Sequence, residues 1–294
     1  MIRRNKAIVA GMTILSLLLA CAIFAPCLTA FPPDQMNYQN RMQLPSRFHL
    51  FGTDYFGRDI FARTIYGSRI AFLVGVLSVS FGAIPGLLLG LLAGYKQGWI
   101  ELVIMRLMDG FLAFPALLLA IAMITVLGPG HVQATLSIGI ILLPAFTRLV
   151  RGQVLAIRAE EYVQAAIALG ASDRGIILRH ILPNVMGPMI VQTTVSFANA
   201  ILIEAGLSFL GLGTQPPIPS WGAMLQEAKN FMDLQPWAAI LPGLAIALAV
   251  MGFNLFGDGL RDWLDPRFRY RNPAPMWPER SKPSQKKSNS SPAH

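Results

Sequence analysis

The chain has 294 residues, of which 54% are hydrophobic and 13% are charged, and its mean hydropathy is +0.52. An ordinary soluble domain carries about 25% charged residues, so this composition excludes a soluble globular domain and indicates an integral membrane protein. The formal net charge is +9. In a membrane protein, such an excess reflects orientation and contact with anionic lipid, so we expect membrane lipid as a partner and no nucleic acid.

Long apolar runs predict an all-α, polytopic fold with six membrane-spanning helices, each built on about 20 apolar residues. The run from Gly110 to Thr147 is too long for a single crossing, and the turn-forming residues 128–131 divide it into two spans. The predicted spans lie near 8–31, 71–95, 102–127, 133–150, 187–209 and 237–257.

The first span follows basic residues, as the apolar region of a signal peptide would. Its apolar stretch of roughly 25 residues exceeds the 7–15 of a signal peptide, which favours an uncleaved helix. Lys and Arg are retained on the cytoplasmic side of membranes, and most of the 24 basic residues fall on one side if both termini are cytoplasmic. The basic residues between Arg41 and Arg69, in the first external segment, are the main exception.

The sequence predicts three parts. Residues 1–70 contain the N-terminal helix and an external segment, residues 71–268 form the transmembrane core, and residues 269–294 form a disordered, basic cytoplasmic tail. The external segment ends in a pattern that predicts a short helix lying at the membrane interface, with arginines extended towards lipid headgroups. That pattern combines apolar Ile60, Phe61, Ile65 and Tyr66 with Arg58, Arg63 and Arg69.

A glycine occurs at every fourth residue of the second span, at Gly82, Gly86, Gly90 and Gly94, and the series continues to Gly98. On a helix this spacing places the glycines on one face, where the missing side chains allow a second helix to approach closely. We therefore predict a helix-packing face. The pattern does not say whether the second helix belongs to this chain or to another.

The segment 151–186 is the longest predicted cytoplasmic loop and has helix-capping residues. Acidic residues open a first helix, Gly170 suits its C-terminus, and Ser172 or Asp173 can cap a second helix that Pro183 ends. We therefore predict a helix–turn–helix outside the bilayer.

The sequence lacks the motifs expected of a nucleotide-binding, metal-binding or catalytic protein. The chain has no Gly-Lys pair for a phosphate-binding loop, and its four histidines are widely separated, so we expect no nucleotide site, no metal site and no catalytic residue. Glu204 is the deepest ionisable residue in the predicted spans, and such residues are often functional. Its two interpretations are a residue of the translocation path and a buried structural hydrogen-bond acceptor.

The loop resembles the signature of ATP-binding-cassette (ABC) importer permeases, a Glu-Ala-Ala triplet followed by a glycine and a terminal Leu-Pro. The matching residues are Gln164, Ala165, Ala166, Gly170, Leu182 and Pro183, with Ala171 next to the glycine. Gln164 departs from the family's Glu. Three other stretches, at 51–59, 206–213 and 253–262, resemble the dipeptide, oligopeptide and nickel subfamily, and specifically its second, C-type permease subunit.

The resemblance implies an N-terminal helix joined to a five-helix permease core in a bacterial inner membrane. It implies that the loop 151–186 is a coupling helix that engages a separate ATPase. The expected partners are a homologous second permease, two ATPase subunits that carry ATP and Mg²⁺, and an external solute-binding protein. This chain itself would hold no cofactor and would not be an enzyme. Small peptides are the expected cargo; a nickel or nickel-chelate importer and an ion-coupled secondary transporter are the alternatives.

Overall fold

The structure, a computed structural model, describes residues 6–264; residues 1–5 and the predicted tail 269–294 lie outside them. Helices make up most of the described chain, and no β-strand occurs in residues 6–264. Short helical turns lie at Ala25–Leu28, Tyr38–Asn40 and Lys229–Phe231. The longer helices are α1 Lys6–Ile23, α2 Ile60–Lys96, α3 Gly98–Leu112, α4 Ala116–Leu127, α5 His131–Arg158, α6 Glu161–Ala168, α7 Asp173–Phe209, α8 Trp221–Ala228 and α9 Trp237–Leu264.

Five of these helices are long and apolar enough to cross a membrane, namely α1, α2, α5, α7 and α9. The count rises to six if the bent pair α3 and α4 forms one span. The all-α, polytopic membrane fold predicted from the sequence is therefore confirmed.

The predicted third span, 102–127, is not a straight helix. Its two parts, α3 and α4, meet at an angle of 92°. The break spans Ala113 to Pro115, where the proline cannot donate a backbone hydrogen bond and restricts the residue before it. At about 1.5 Å per residue, the 12 residues of α4 cover roughly 18 Å, which is too short to cross a bilayer alone.

The predicted interfacial helix before the second span is wrong as a separate element. Helix α2 begins at Ile60, where the Asp59 side chain accepts a hydrogen bond from the Ala62 N–H, and runs unbroken to Lys96. Its 37 residues extend over roughly 55 Å, more than the apolar thickness of a bilayer. The helix is therefore longer than the hydrocarbon core is thick, and Arg63 and Arg69 lie near its N-terminal end.

The arginines of that region are also placed differently from the prediction. Arg58 and Arg63 are each only 2% exposed and do not extend towards lipid. The Arg58 guanidinium lies 2.6 Å from the Asp54 carboxylate and 2.5 Å from the Glu227 carboxylate, and Arg63 lies 3.2 Å from Glu227. These ion pairs join the segment before α2, and the start of α2 itself, to α8. They also explain why the two arginines can be buried, since a buried charge needs a partner.

The N-terminal helix packs onto the last helix of the chain. A β-carbon built on Gly11 of α1 would lie 2.5 Å from the Phe256 backbone nitrogen of α9, so the two backbones are nearly in contact. On α9, the same test places a β-carbon of Gly252 3.0 Å from Ile14 and Leu15. Helix α1 is thus an integral part of the fold, as an uncleaved first helix requires.

Candidate functional site

The segment predicted to engage an ATPase forms a bent hairpin of two helices. Helix α6 ends at Ala168, and Gly170 follows with φ +82°. Glycine adopts this left-handed conformation at no steric cost, so Gly170 lets the chain reverse direction. Helix α7 then begins after Ser172, whose side chain accepts a hydrogen bond from the Gly175 N–H.

The apex of the hairpin is exposed and partly apolar. The Leu169 side chain is 89% exposed, and Ile167 is 37% exposed. One buried side chain, Val163 at 0% exposure, anchors α6 to the rest of the protein. Exposed residues of the predicted coupling set are Gln164, Ala165, Gly170, Ala171 and Pro183, whereas Ala166 and Leu182 are half-buried.

The second helix of the hairpin does not end at Pro183, contrary to the prediction. Helix α7 continues through Pro183 to Phe209, so the hairpin is continuous with a membrane span. A π-helical turn, Ile177–Ile181, lies immediately before the proline. A proline ring normally clashes with the carbonyl four residues earlier, and the wider π turn relieves that clash.

The side chain of Gln164 faces back towards the protein. Its Nε2 donates a hydrogen bond to the Arg158 carbonyl at 2.7 Å, at the C-terminal end of α5. The last carbonyls of a helix have no partner within it, so Gln164 satisfies one of them.

The base of the hairpin contacts the ends of α2 and α5 through four side chains: Tyr95, Lys96, Arg158 and Asp173. We call them the base cluster. The Tyr95 hydroxyl donates to the Asp173 carboxylate at 2.8 Å, and the Lys96 ammonium lies 3.1 Å from the same carboxylate. Arg158 donates to the Tyr95 carbonyl at 2.7 Å, and its guanidinium lies 5.1 Å from the Tyr95 ring centroid. The sequence does not reveal this cluster, because its members are up to 78 residues apart.

The glycine series of α2 packs against α5 of the same chain. Gly82 faces the backbone at Gly139 and the Leu142 side chain. The next three glycines face residues spaced four apart on α5. A β-carbon built on each glycine would lie 2.6–2.7 Å from the β-carbon of the residue that it faces. Those pairs are Gly86 with Phe146, Gly90 with Val150, and Gly94 with Val154. Gly98 is outside this face, since nothing lies within 4 Å of its built β-carbon.

Glu204 lies inside the fold and is 2% exposed. Its Oε1 accepts hydrogen bonds from the Ser208 hydroxyl at 2.7 Å and the Thr214 hydroxyl at 3.2 Å. The Ser208 hydroxyl in turn accepts from the Thr214 N–H at 3.0 Å. These bonds fasten the end of α7 to the loop that follows it.

The fold and its hairpin define a class of protein, and comparison with known sequences identifies the class. Residues 86–270 match the family described as binding-protein-dependent transport system inner membrane component, and the chain belongs to this family of transport permeases. Residues 1–45 match the N-terminal transmembrane domain of oligopeptide transport permease C.

Individual relatives agree over nearly the whole chain. The dipeptide transport system permease protein DppC of Alkalihalophilus pseudofirmus is 47% identical over 91% of this chain and 88% of its own length. The glutathione transport system permease protein GsiD of Pectobacterium atrosepticum is 45% identical over 91% of this chain and 89% of its own length. The di/tripeptide transport system permease protein DppC of Pseudomonas aeruginosa is 44% identical, over 90% of this chain and 89% of its own length. The predicted resemblance to C-type permeases of peptide ABC importers is confirmed.

The family description also says what kind of assembly the chain belongs to. It is a multi-pass permease of a multi-component, binding-protein-dependent transport system. That membership distinguishes it from a carrier that works alone on an ion gradient.

Proposed function

We propose that this chain pairs with a homologous second permease to form the path by which small peptides enter the cell, and that its hairpin engages one of two ATPase subunits. ATP and Mg²⁺ would be held by the ATPases. An external solute-binding protein would deliver the cargo, and both termini of this chain would face the cytoplasm of a bacterial cell.

The apex of the hairpin is the observation that carries this proposal. Leu169 is 89% exposed in the turn between α6 and α7, and Ile167 beside it is 37% exposed, so the chain itself leaves this apolar tip uncovered. We infer that a partner protein covers it, because adjoining exposed apolar side chains often mark an interaction site. The ties of both hairpin helices to α2 and α5 make the tip a firm protrusion, as a motion-transmitting contact requires.

Peptide cargo is supported by the relatives. Three proteins named for dipeptide, di/tripeptide or glutathione transport are 44–47% identical over at least 90% of this chain. Within residues 6–264, no group of three or more His, Cys, Asp and Glu side chains is arranged to hold a metal ion. A nickel importer therefore gains no argument from the described residues.

The test is to replace Leu169 with Asp and to measure how much ATPase co-purifies with the permease complex. We expect the charge at the tip to reduce ATPase recovery and the ATP-driven uptake of a radiolabelled dipeptide. Leu234→Asp is the matched control, because Leu234 is 69% exposed but lies in the segment between α8 and α9, at the other end of the protein. Normal ATPase recovery with Leu169→Asp would contradict the docking role.

The cargo is tested separately in proteoliposomes that contain the whole complex. Uptake of labelled dipeptide, glutathione and nickel is compared with and without ATP, while the ion gradient is held constant. Peptide uptake that stops without ATP is the expected result. Uptake of nickel alone, or uptake that follows the ion gradient, would contradict the proposal.

A further inference from the structure

The base cluster is the place where the hairpin meets the two most closely packed spans. Tyr95 and Lys96 are the last two residues of α2, and Arg158 is the last residue of α5. Asp173 is the first residue of α7. Three helix ends therefore meet within hydrogen-bond distance at one point.

Both helices of the hairpin are tied to the same two spans. Gln164 of α6 donates to the Arg158 carbonyl, and Asp173 of α7 accepts from the Tyr95 hydroxyl. The two spans are themselves held in register by the glycine series, where backbone and β-carbon are in direct contact. A displacement of the hairpin that preserves these bonds must carry α2 and α5 with it.

The hairpin is also joined to a membrane span through the chain itself, but this connection contains an irregular turn. The connection is α7, and the π-helical turn Ile177–Ile181 interrupts this helix a few residues after Asp173. Single π turns inside α-helices often lie at functional sites and at kinks. Buried Val163, Ile176 and Ile181 pack the hairpin into the core, and directional polar bonds add a limit on how far it can tilt about this turn.

The contacts of Asp173 differ in character. The pair with Lys96 is exposed, with 51% and 62% of the two side chains accessible, and exposed ion pairs contribute little. Tyr95, by contrast, is 7% exposed, and Arg158 holds both its ring and its carbonyl in place. The hydroxyl is thus held in one position, and its bond to the exposed Asp173 carboxylate is the more directional of the two contacts.

We propose that the hydrogen bond between Tyr95 and Asp173 is the link that transmits hairpin movement to the α2–α5 pair. The two residues are positioning residues: they touch neither ATP nor cargo, and they fix the angle between the hairpin and the spans. This inference rests on the proposed engagement of the hairpin with an ATPase.

The test measures ATP hydrolysis and dipeptide uptake together in proteoliposomes that contain the complete transporter. Tyr95→Phe removes the hydroxyl and keeps the ring. We expect ATPase co-purification to stay at the wild-type level, while the number of dipeptides imported per ATP falls about twofold to fivefold, in line with the loss of one hydrogen bond. Tyr66→Phe is the matched control on the same helix, because the Tyr66 hydroxyl makes no hydrogen bond among residues 6–264.

A second variant keeps the inference testable if Tyr95→Phe assembles poorly. Asp173→Ala removes the acceptor from the other side, and Ser172 still caps α7. The double variant should be no worse than Asp173→Ala alone, because that variant has already lost the bond that Tyr95→Phe removes. Additive losses, or an unchanged ratio of dipeptide to ATP in Tyr95→Phe, would overturn the inference. A wild-type chain that binds no ATPase would instead overturn the proposed function, and this inference would fall with it.

Discussion

The amide group of Gln164, the residue that stands where the resembled signature has Glu, donates to the carbonyl of Arg158 at the end of α5. The bond needs an N–H donor, which an ionised carboxylate lacks. Gln164 thus has a structural role in this chain, because its bond joins the C-terminal end of α5 to the hairpin.

Restoring the family residue with Gln164→Glu should therefore weaken the transporter. The carboxylate would lose the bond and would face the negative end of the α5 dipole. We expect peptide uptake to fall about twofold to fivefold, as for the loss of one hydrogen bond, and limited proteolysis of the hairpin to become faster. Gln164→Met separates the causes, because it removes the donor without adding charge. Unchanged or higher uptake with Gln164→Glu would contradict this interpretation.

Gly170→Val should abolish uptake while leaving the protein in the membrane. The reason is backbone conformation, since a built β-carbon at Gly170 meets nothing within 4 Å, whereas φ is +82°. A β-branched residue is strained there by about 1–2 kcal/mol or more, and Asn adopts this conformation more readily. Gly170→Asn is accordingly the matched variant and should retain most uptake. Equal losses in both variants would show that the backbone argument is wrong.

Gly90→Ala should destabilise the protein. The added β-carbon would lie 2.6 Å from the Val150 β-carbon and 2.7 Å from the Thr147 carbonyl oxygen, and overpacking of this kind costs about 1–3 kcal/mol. Gly110→Ala is the control, because Gly110 also lies in a helix but has open space around it. There the change should be neutral or stabilising, by up to about 1 kcal/mol. Thermal unfolding in detergent measures both, and a similar shift for the two variants would refute the close contact.

Glu204 can be either a residue of the translocation path or a structural hydrogen-bond acceptor, and its burial favours the structural role. Glu204→Gln keeps an oxygen for the Ser208 and Thr214 hydroxyls, so uptake should stay near wild type at every pH tested. Glu204→Leu leaves these donors without a partner and should lower the free energy of unfolding by about 1–3 kcal/mol. A loss of uptake in Glu204→Gln at unchanged stability would instead support a role in the translocation path.

Local signals in the sequence predicted the local parts of the site. Gly170 and Ser172 act on residues close to them in the chain, so turn and cap chemistry was enough to place the turn and the start of the second helix of the hairpin. The spacing of the glycines likewise predicted a packing face, although the identity of its partner, α5, depends on the tertiary fold.

Features that depend on distant residues could not be predicted in this way. Arg58 reads as an interfacial cation until Glu227, 169 residues later in the chain, is placed beside it. Pro183 reads as a helix end because the compensating π turn leaves no signature in composition. The bend between α3 and α4 was hidden by a continuous apolar run, since hydropathy measures solvent preference and not direction.

The direct contact between α2 and α5 limits how these two helices can move relative to each other. Where backbone meets β-carbon directly, no layer of rotatable side chains is available to absorb a change in distance or angle. The two helices should thus keep the same mutual arrangement in every state of the transport cycle, and shape change must be concentrated where helices are interrupted, at the bend after Leu112 and at the π turn Ile177–Ile181.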